Sequence, residues 1–143
     1  CFSNFYIKNE SSGKLKKFNS QSNYNTNTSN LIKNYRLGIL TALIHRSFFE
    51  KKKFKTIYNI IGDFDYFIDL SLRTKIAYLN QPLATYRVHG KNFSKNFKVH
   101  LQEIKKWKKE NQKKFEKKKI NLKQINFLII KLFFKNFLSS IIK

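Results

Sequence analysis

Three of the eight acidic residues in this 143-residue chain fall between positions 63 and 69, in Gly62-Asp63-Phe64-Asp65-Tyr66-Phe67-Ile68-Asp69. The rest of the chain is basic, with a formal net charge of +22, so solubility does not call for a knot of acids. Carboxylates at this density do proton chemistry, hold a metal ion or cap a helix. Phe64, Phe67, Ile68 and Leu72 recur at the helical period, which predicts a helix over Asp63 to Thr74. Asp63 is the expected N-cap, and acids near that end suit the helix dipole. Asp69 and Arg73, spaced i,i+4, are expected to pair. On a helix Asp65 lies about 200° round from Asp63, so the two are not expected to share one proton.

The surrounding elements must position these acids. Cys1 to Lys8 is aromatic and β-branched and reads as a strand, with turn chemistry at Ser12-Gly13 marking a hairpin tip. Asn19 to Asn30 is polar and reads as a mobile loop. Leu31 to Tyr35 predicts a short helix, Leu37 to Arg46 a buried strand, and Ser47 to Glu50 a helical turn; Lys51 to Lys55 is expected to be exposed. Lys75 to Leu79 and Leu83 to His89 read as two short strands broken at Gln81-Pro82, with a turn over Gly90 to Ser94. Ser94 is the expected N-cap of a basic helix running towards Lys119, and Leu122 to Ile142 reads as a final helix. This order predicts a mixed α/β domain with a helical tail.

Composition bounds the function classes. A charge of +22 points first to nucleic acid or an anionic membrane. Yet only Arg36, Arg46, Arg73 and Arg87 are arginines, the side chain that base readout and bidentate phosphate recognition favour. Lys, Asn, Ile, Phe and Tyr are abundant and all have A/T-rich codons, so base composition accounts for much of the charge. Nucleic acid is therefore not the expected partner. One cysteine excludes an internal disulfide framework and a cysteine-based zinc site, and Cys1 reads as a small core residue. His45 and His100 have no evident chemical partners in the sequence. The chain begins at Cys1 and lacks Met, so it reads as a C-terminal fragment or one missing its N-terminal portion.

Two segments carry a family resemblance. Tyr58-Asn59-Ile60-Ile61-Gly62-Asp63-Phe64-Asp65-Tyr66-Phe67-Ile68 resembles the acceptor-side motif of family 2 glycosyltransferases. Gln81-Pro82-Leu83-Ala84-Thr85-Tyr86-Arg87-Val88-His89-Gly90-Lys91-Asn92-Phe93-Ser94 resembles that family's Pro-Leu-Ala-x-Tyr-Arg-x-His-x-x-Asn-x-Ser segment. Ser3 to Ile7 resembles the strand that follows the nucleotide-binding half. The resemblance covers residues 1–110 and leaves 111–143 as a basic, amphipathic helical tail. It implies the C-terminal part of a Rossmann-like A-type sandwich whose donor-binding half, with its Asp-x-Asp metal motif, lies outside this chain. The fragment alone is expected to be inactive.

The implied activity is transfer of a sugar from a nucleotide diphosphate donor to a hydroxyl acceptor with inversion, in cell-surface polysaccharide or lipopolysaccharide synthesis. Asp63 corresponds to the catalytic base, since a sugar hydroxyl attacks poorly until its proton is taken; it also reads as a plain helix cap. Asp65 orients the acceptor or hydrogen-bonds nearby backbone. His89 is a candidate ligand for a divalent ion, Mn²⁺ or Mg²⁺, or a contact to the diphosphate. Arg87 is a candidate diphosphate contact or the partner of a carboxylate within the fold. It is read as facing away from Tyr86, Val88 and also His89, with Tyr86 in the core. The remaining metal ligands would come from the missing half.

Ile104, Trp107 and Phe115 form an apolar stripe on the Lys-rich helix, with Trp107 as packing anchor. In the tail, Gln124, Lys131 and Lys135 make a narrow polar stripe among Phe127, Ile130, Phe134 and Leu138. Such a helix suits the surface of an anionic membrane or packs on the missing half. The expected setting is cytoplasmic, peripheral on the inner face of the plasma membrane, with a saccharide or lipid-linked acceptor. The rival readings are a basic nucleic-acid-binding module and a non-enzymatic, membrane-associated remnant.

Overall fold

The aromatic and β-branched amino terminus does form a strand, β1 (Phe2–Asn9), followed by a hairpin into β2 (Leu15–Lys17). The Asn9 side chain accepts from the Ser11 and Ser12 amides at 2.9 and 3.2 Å, and Gly13 supplies the positive φ of 66° that the turn needs. The computed structural model describes residues 1–19, 23–90 and 92–141. Part of the Asn19 to Asn30 loop, Lys91 of the second family-like segment, and Ile142 of the final helix lie outside the described residues. The remaining elements are α1 (Thr28–Lys33), α2 (Arg46–Lys51), α3 (Gly62–Ser71), β3 (Tyr78–Val88), α4 (Phe97–Lys117) and α5 (Lys123–Ile141). Among the described residues the architecture is α/β, with a three-stranded mixed sheet and five α-helices.

The chain divides into two compact units, Cys1–Lys53 with Phe67–Asn92 and Phe54–Tyr66 with Phe93–Lys143. The domain boundary read at position 110 falls within α4.

The first unit is built on the sheet, ordered β2-β1-β3, with β1 antiparallel to β2 and parallel to β3. Being central, β1 is buried over four consecutive residues, Phe2 to Phe5, instead of alternating. The two strands expected around Gln81-Pro82 are one continuous β3. Pro82 is tolerated because β3 is an edge strand and the register shifts where Asn4 meets Pro82. Phe2, Tyr24 and Tyr78 pack ring on ring, with centroids 5.1–6.1 Å apart. Tyr24 lies in the stretch read as a mobile loop, but it is buried, and Thr28 to Asn30 already belong to α1.

The strand expected over Leu37 to Arg46 is absent among the described residues. A short 3-10 turn, Ile39–Thr41, takes its place, and Ile39, Leu40 and Leu43 are exposed. Only Leu37 of that apolar run is in the core. Gly38 is required here, because a Cβ would sit 2.5 Å from the Phe5 ring. Cys1, expected in the core, is exposed, and its backbone amine donates to the Leu43 carbonyl at 2.9 Å.

The second unit is helical. Trp107 is the anchor expected: it is 1% exposed, with Phe64 edge-on at 4.9 Å and Phe115 at 5.6 Å. Leu101, Ile104, Ile125 and Leu132 complete the core where α4 and α5 pack. The cap of α4 is Asn96, whose Oδ1 accepts from the Val99 amide at 3.2 Å; Ser94, the expected cap, lies in a preceding 3-10 turn, Phe93–Lys95.

Candidate functional site

The acidic cluster is positioned by a feature that the family-like motif does not contain. Asn59, Ile60 and Ile61 lead into α3, and their three amides all donate to one carboxylate, Glu103 of α4, at 2.7, 2.9 and 3.1 Å. Three successive N–H groups aimed at one buried anion form a backbone nest. Glu103 thereby satisfies amides that approach and open the helix. It is 7% exposed, and these bonds compensate the burial of its charge. The sequence offered one clue: Glu103 stands one helical turn ahead of Trp107 and so shares its packed face.

Asp63 sits within the first turn of α3, one residue past its start, and not ahead of it as a cap. Its Oδ1 accepts from the Phe64 amide at 2.7 Å. Asp63 is half-buried, and it stands at the end of α3 where the helix dipole is positive.

Asp65 occupies a different environment. It is 3% exposed, and its Oδ1 accepts from Trp107 Nε1 at 2.9 Å and Lys55 Nζ at 3.3 Å. That carboxylate is directed into the core of its own unit, and the Trp107 indole and Lys55 that bond it are side chains, where nearby backbone was the partner expected. Lys55, expected to be exposed, is half-buried and also lies 4.0 Å from Glu110. Glu110 accepts from the Tyr58 hydroxyl at 2.8 Å, and burial, reinforced by that carboxylate, pushes the Tyr58 phenol well above its ordinary pKa. Asp69 pairs with Arg73 at 2.7 Å as expected, and also with Lys52 at 3.3 Å.

The candidates on β3 belong to the first unit, Asp63 and Asp65 to the second. Arg87 makes a two-pronged pair with Glu10, Nε to Oε1 at 2.9 Å and Nη2 to Oε2 at 3.0 Å, the geometry of a guanidinium fork on a carboxylate. This is its expected alternative, a partner within the fold. The Arg87 hydrogen bonds hold the Glu10 carboxyl below its ordinary value, with Lys8 and His89 adding to the field. Arg87 and His89 are two positions apart and both exposed, and His89 directly follows the strand end. The expectation that they face opposite ways is therefore corrected: a strand repeats every second residue. The His89 amide donates to Asn92 Oδ1 at 2.5 Å, fixing the turn after the strand. Tyr86 is half-buried, with Asn92 Nδ2 3.4 Å from its hydroxyl.

The other histidines have definite surroundings. His45, expected to lack a partner, caps α2 and lies 2.9 Å from Ser47 Oγ. His100 is half-buried; burial pushes its imidazole below its ordinary value, Glu103 opposing and Lys135 adding to the shift.

Among the described residues no group of three or more His, Cys, Asp or Glu side chains gathers in one place. His89 alone provides one imidazole, and the nearby Glu10 is engaged by Arg87. No helix among the described residues is long and apolar enough to cross a membrane. No family model matches the chain, and neither a curated protein nor a solved structure does.

Proposed function

We propose that this chain is the acceptor-side part of an inverting, family 2-like glycosyltransferase that moves a sugar from a nucleotide diphosphate donor to a hydroxyl acceptor. The observation that carries the reading is Asp63: a half-buried carboxylate in the first turn of α3, reached through backbone clamped by Glu103. Its neighbour Asp65 is held inside the helical unit by Trp107 and Lys55. The two family-like segments support the same reading, one around Asp63 and one ending β3.

In this reaction the acceptor O–H gives its proton to Asp63 as its oxygen attacks the anomeric carbon. The bond from that carbon to the diphosphate oxygen breaks, and the leaving diphosphate keeps the electron pair. A rigid approach to α3 matters because a general base must stay within hydrogen-bond reach of the hydroxyl. A divalent ion serving the donor would take its other ligands from the donor-binding half, with His89 the candidate in this chain. The products would be cell-surface polysaccharide or lipopolysaccharide, made on the cytoplasmic side.

The test is nucleoside diphosphate release from UDP-, GDP- and dTDP-sugars by the gene product containing this chain, with mixed saccharide acceptors. Asp63→Asn is expected to lower kcat by roughly 10²–10⁴ with the fold intact by circular dichroism. Turnover unchanged in Asp63→Asn removes the base and with it this reading.

A further inference from the structure

Helix α5 buries one side and leaves the other side apolar. Ile125 and Leu132 are in the core. Phe127, Ile130, Phe134, Phe137, Leu138 and Ile141 are each more than half exposed. At about 100° per residue these six fall within an arc of about 100° on the face opposite Ile125 and Leu132. Soluble surfaces rarely present so many large side chains contiguously unless something covers them.

The surroundings of this arc select the occupant. Lysines border it on both sides. Lys131 and Lys135 follow its edge on α5, Lys135 with its Nζ 5.2 Å from the Phe97 ring. On the other edge a groove of about 390 Å³ lies between α4 and α5, where Lys105, Lys108 and Lys109 face Ile129 and Ile130. Residues 97–141 carry thirteen lysines and three glutamates. The three glutamates offset only three of those charges, so the segment stays strongly cationic. An apolar protein partner would match the arc and leave the lysine borders unmatched. A polyanion without an apolar interior would match the lysines and leave the arc in water. An anionic lipid surface matches both, with acyl chains for the aromatic arc and headgroups for the flanking ammonium groups.

We infer that α5 lies in the plane of an anionic bilayer surface, its Phe127–Ile141 arc in the acyl boundary and the lysines of α4 and α5 among the headgroups. The inference does not depend on the transferase reading, and its test involves no turnover.

The whole chain is mixed with vesicles of phosphatidylglycerol and phosphatidylcholine, or of phosphatidylcholine alone, and bound protein is measured by co-sedimentation. Binding is expected to the mixed vesicles and to weaken with salt. Phe134→Ser combined with Phe137→Ser is expected to weaken it roughly tenfold or more. Both side chains are exposed, so the variant should keep its helical spectrum. A second readout uses Phe134→Trp with brominated lipid. Trp107 is buried and should stay unquenched, whereas the new indole should be quenched on binding. Failure of the native chain to bind the mixed vesicles would overturn the inference. So would equal binding by the double variant, or an unquenched indole in Phe134→Trp. Self-association that the double variant abolishes would also overturn it, since a second copy would then cover the arc.

Discussion

The two units bury polar groups by opposite chemistry. In the sheet unit the buried polar side chains are neutral, the amides of Asn4 and Asn19 and the hydroxyls of Ser3 and Thr28. Asn4 accepts from the Phe5 and Asn19 amides at 2.9 and 3.1 Å and donates to the Asn19 carbonyl at 2.6 Å. Asn19 in turn bonds Tyr78 at 3.2 Å and Arg36 at 2.9 Å. The helical unit instead buries two carboxylates, Glu103 and Asp65, and surrounds them with donors. Bonds to an ionised acceptor are roughly twice as strong as neutral ones. A charged network therefore concentrates its stabilisation in a few atoms, whereas an amide network spreads it. The helical unit should be the more brittle to single substitutions.

The sharpest challenge is Trp107→Ala, which removes the anchor and Asp65's indole donor together. It should cost about 4 kcal/mol, read by urea unfolding with hydrogen exchange localised on α4. Glu103→Ala should follow at about 3 kcal/mol, with the amides of 59–61 losing protection first. Glu103→Gln, which keeps one acceptor oxygen, should cost about half as much. Asn4→Ala in the sheet unit should cost about 2 kcal/mol; a larger loss than Glu103→Ala would reverse the comparison.

Acid provides a smaller test. The His100 imidazole in the folded chain titrates below its ordinary value of 6.5 because of burial. The unfolded chain therefore takes the proton first. Stability from this source is complete above the ordinary value and is lost as the pH falls through it towards the folded value. Melting temperatures measured across that window should fall less steeply in His100→Gln. The smallest effect belongs to Arg73→Ala, within about 0.5 kcal/mol, since Lys52 also pairs with Asp69.

Elements with a clear period were legible from the residues. The amino-terminal strand, the Ser12-Gly13 turn and the helices around Trp107 and Phe127 to Ile141 all announce themselves through spacing and turn chemistry. The run from Leu37 to Arg46 misleads because hydrophobicity alone does not say whether a residue is covered, and here Leu43 is 73% exposed. Pro82 misleads because its place in a strand depends on the strand being at an edge, a property of the assembled sheet. The candidate site divides in the same way. Asp63 is visible from its spacing with Asp65 and the helical period. Glu103 acts on backbone amides 42 to 44 positions away, and a backbone amide carries no side-chain signature to search for. Arg87 was readable as a two-way choice, but Glu10, 77 positions away, could only be found by folding the chain.

The parallel pairing of β1 with β3 also sets a timetable for synthesis. Asn4 and Asn80 touch across 76 positions of sequence. A ribosome adding 5–20 residues per second needs roughly 4–15 s to cover that span. During that interval the hairpin of β1 and β2 can already close, while the other edge of β1 waits, open to any passing strand. The Phe54–Tyr66 segment emerges within the same interval, and the helices of its own unit follow only after Phe93. Nascent chains should therefore be most aggregation-prone before β3 is complete, and slowing translation between positions 10 and 78 should lower the soluble yield without altering the folded protein.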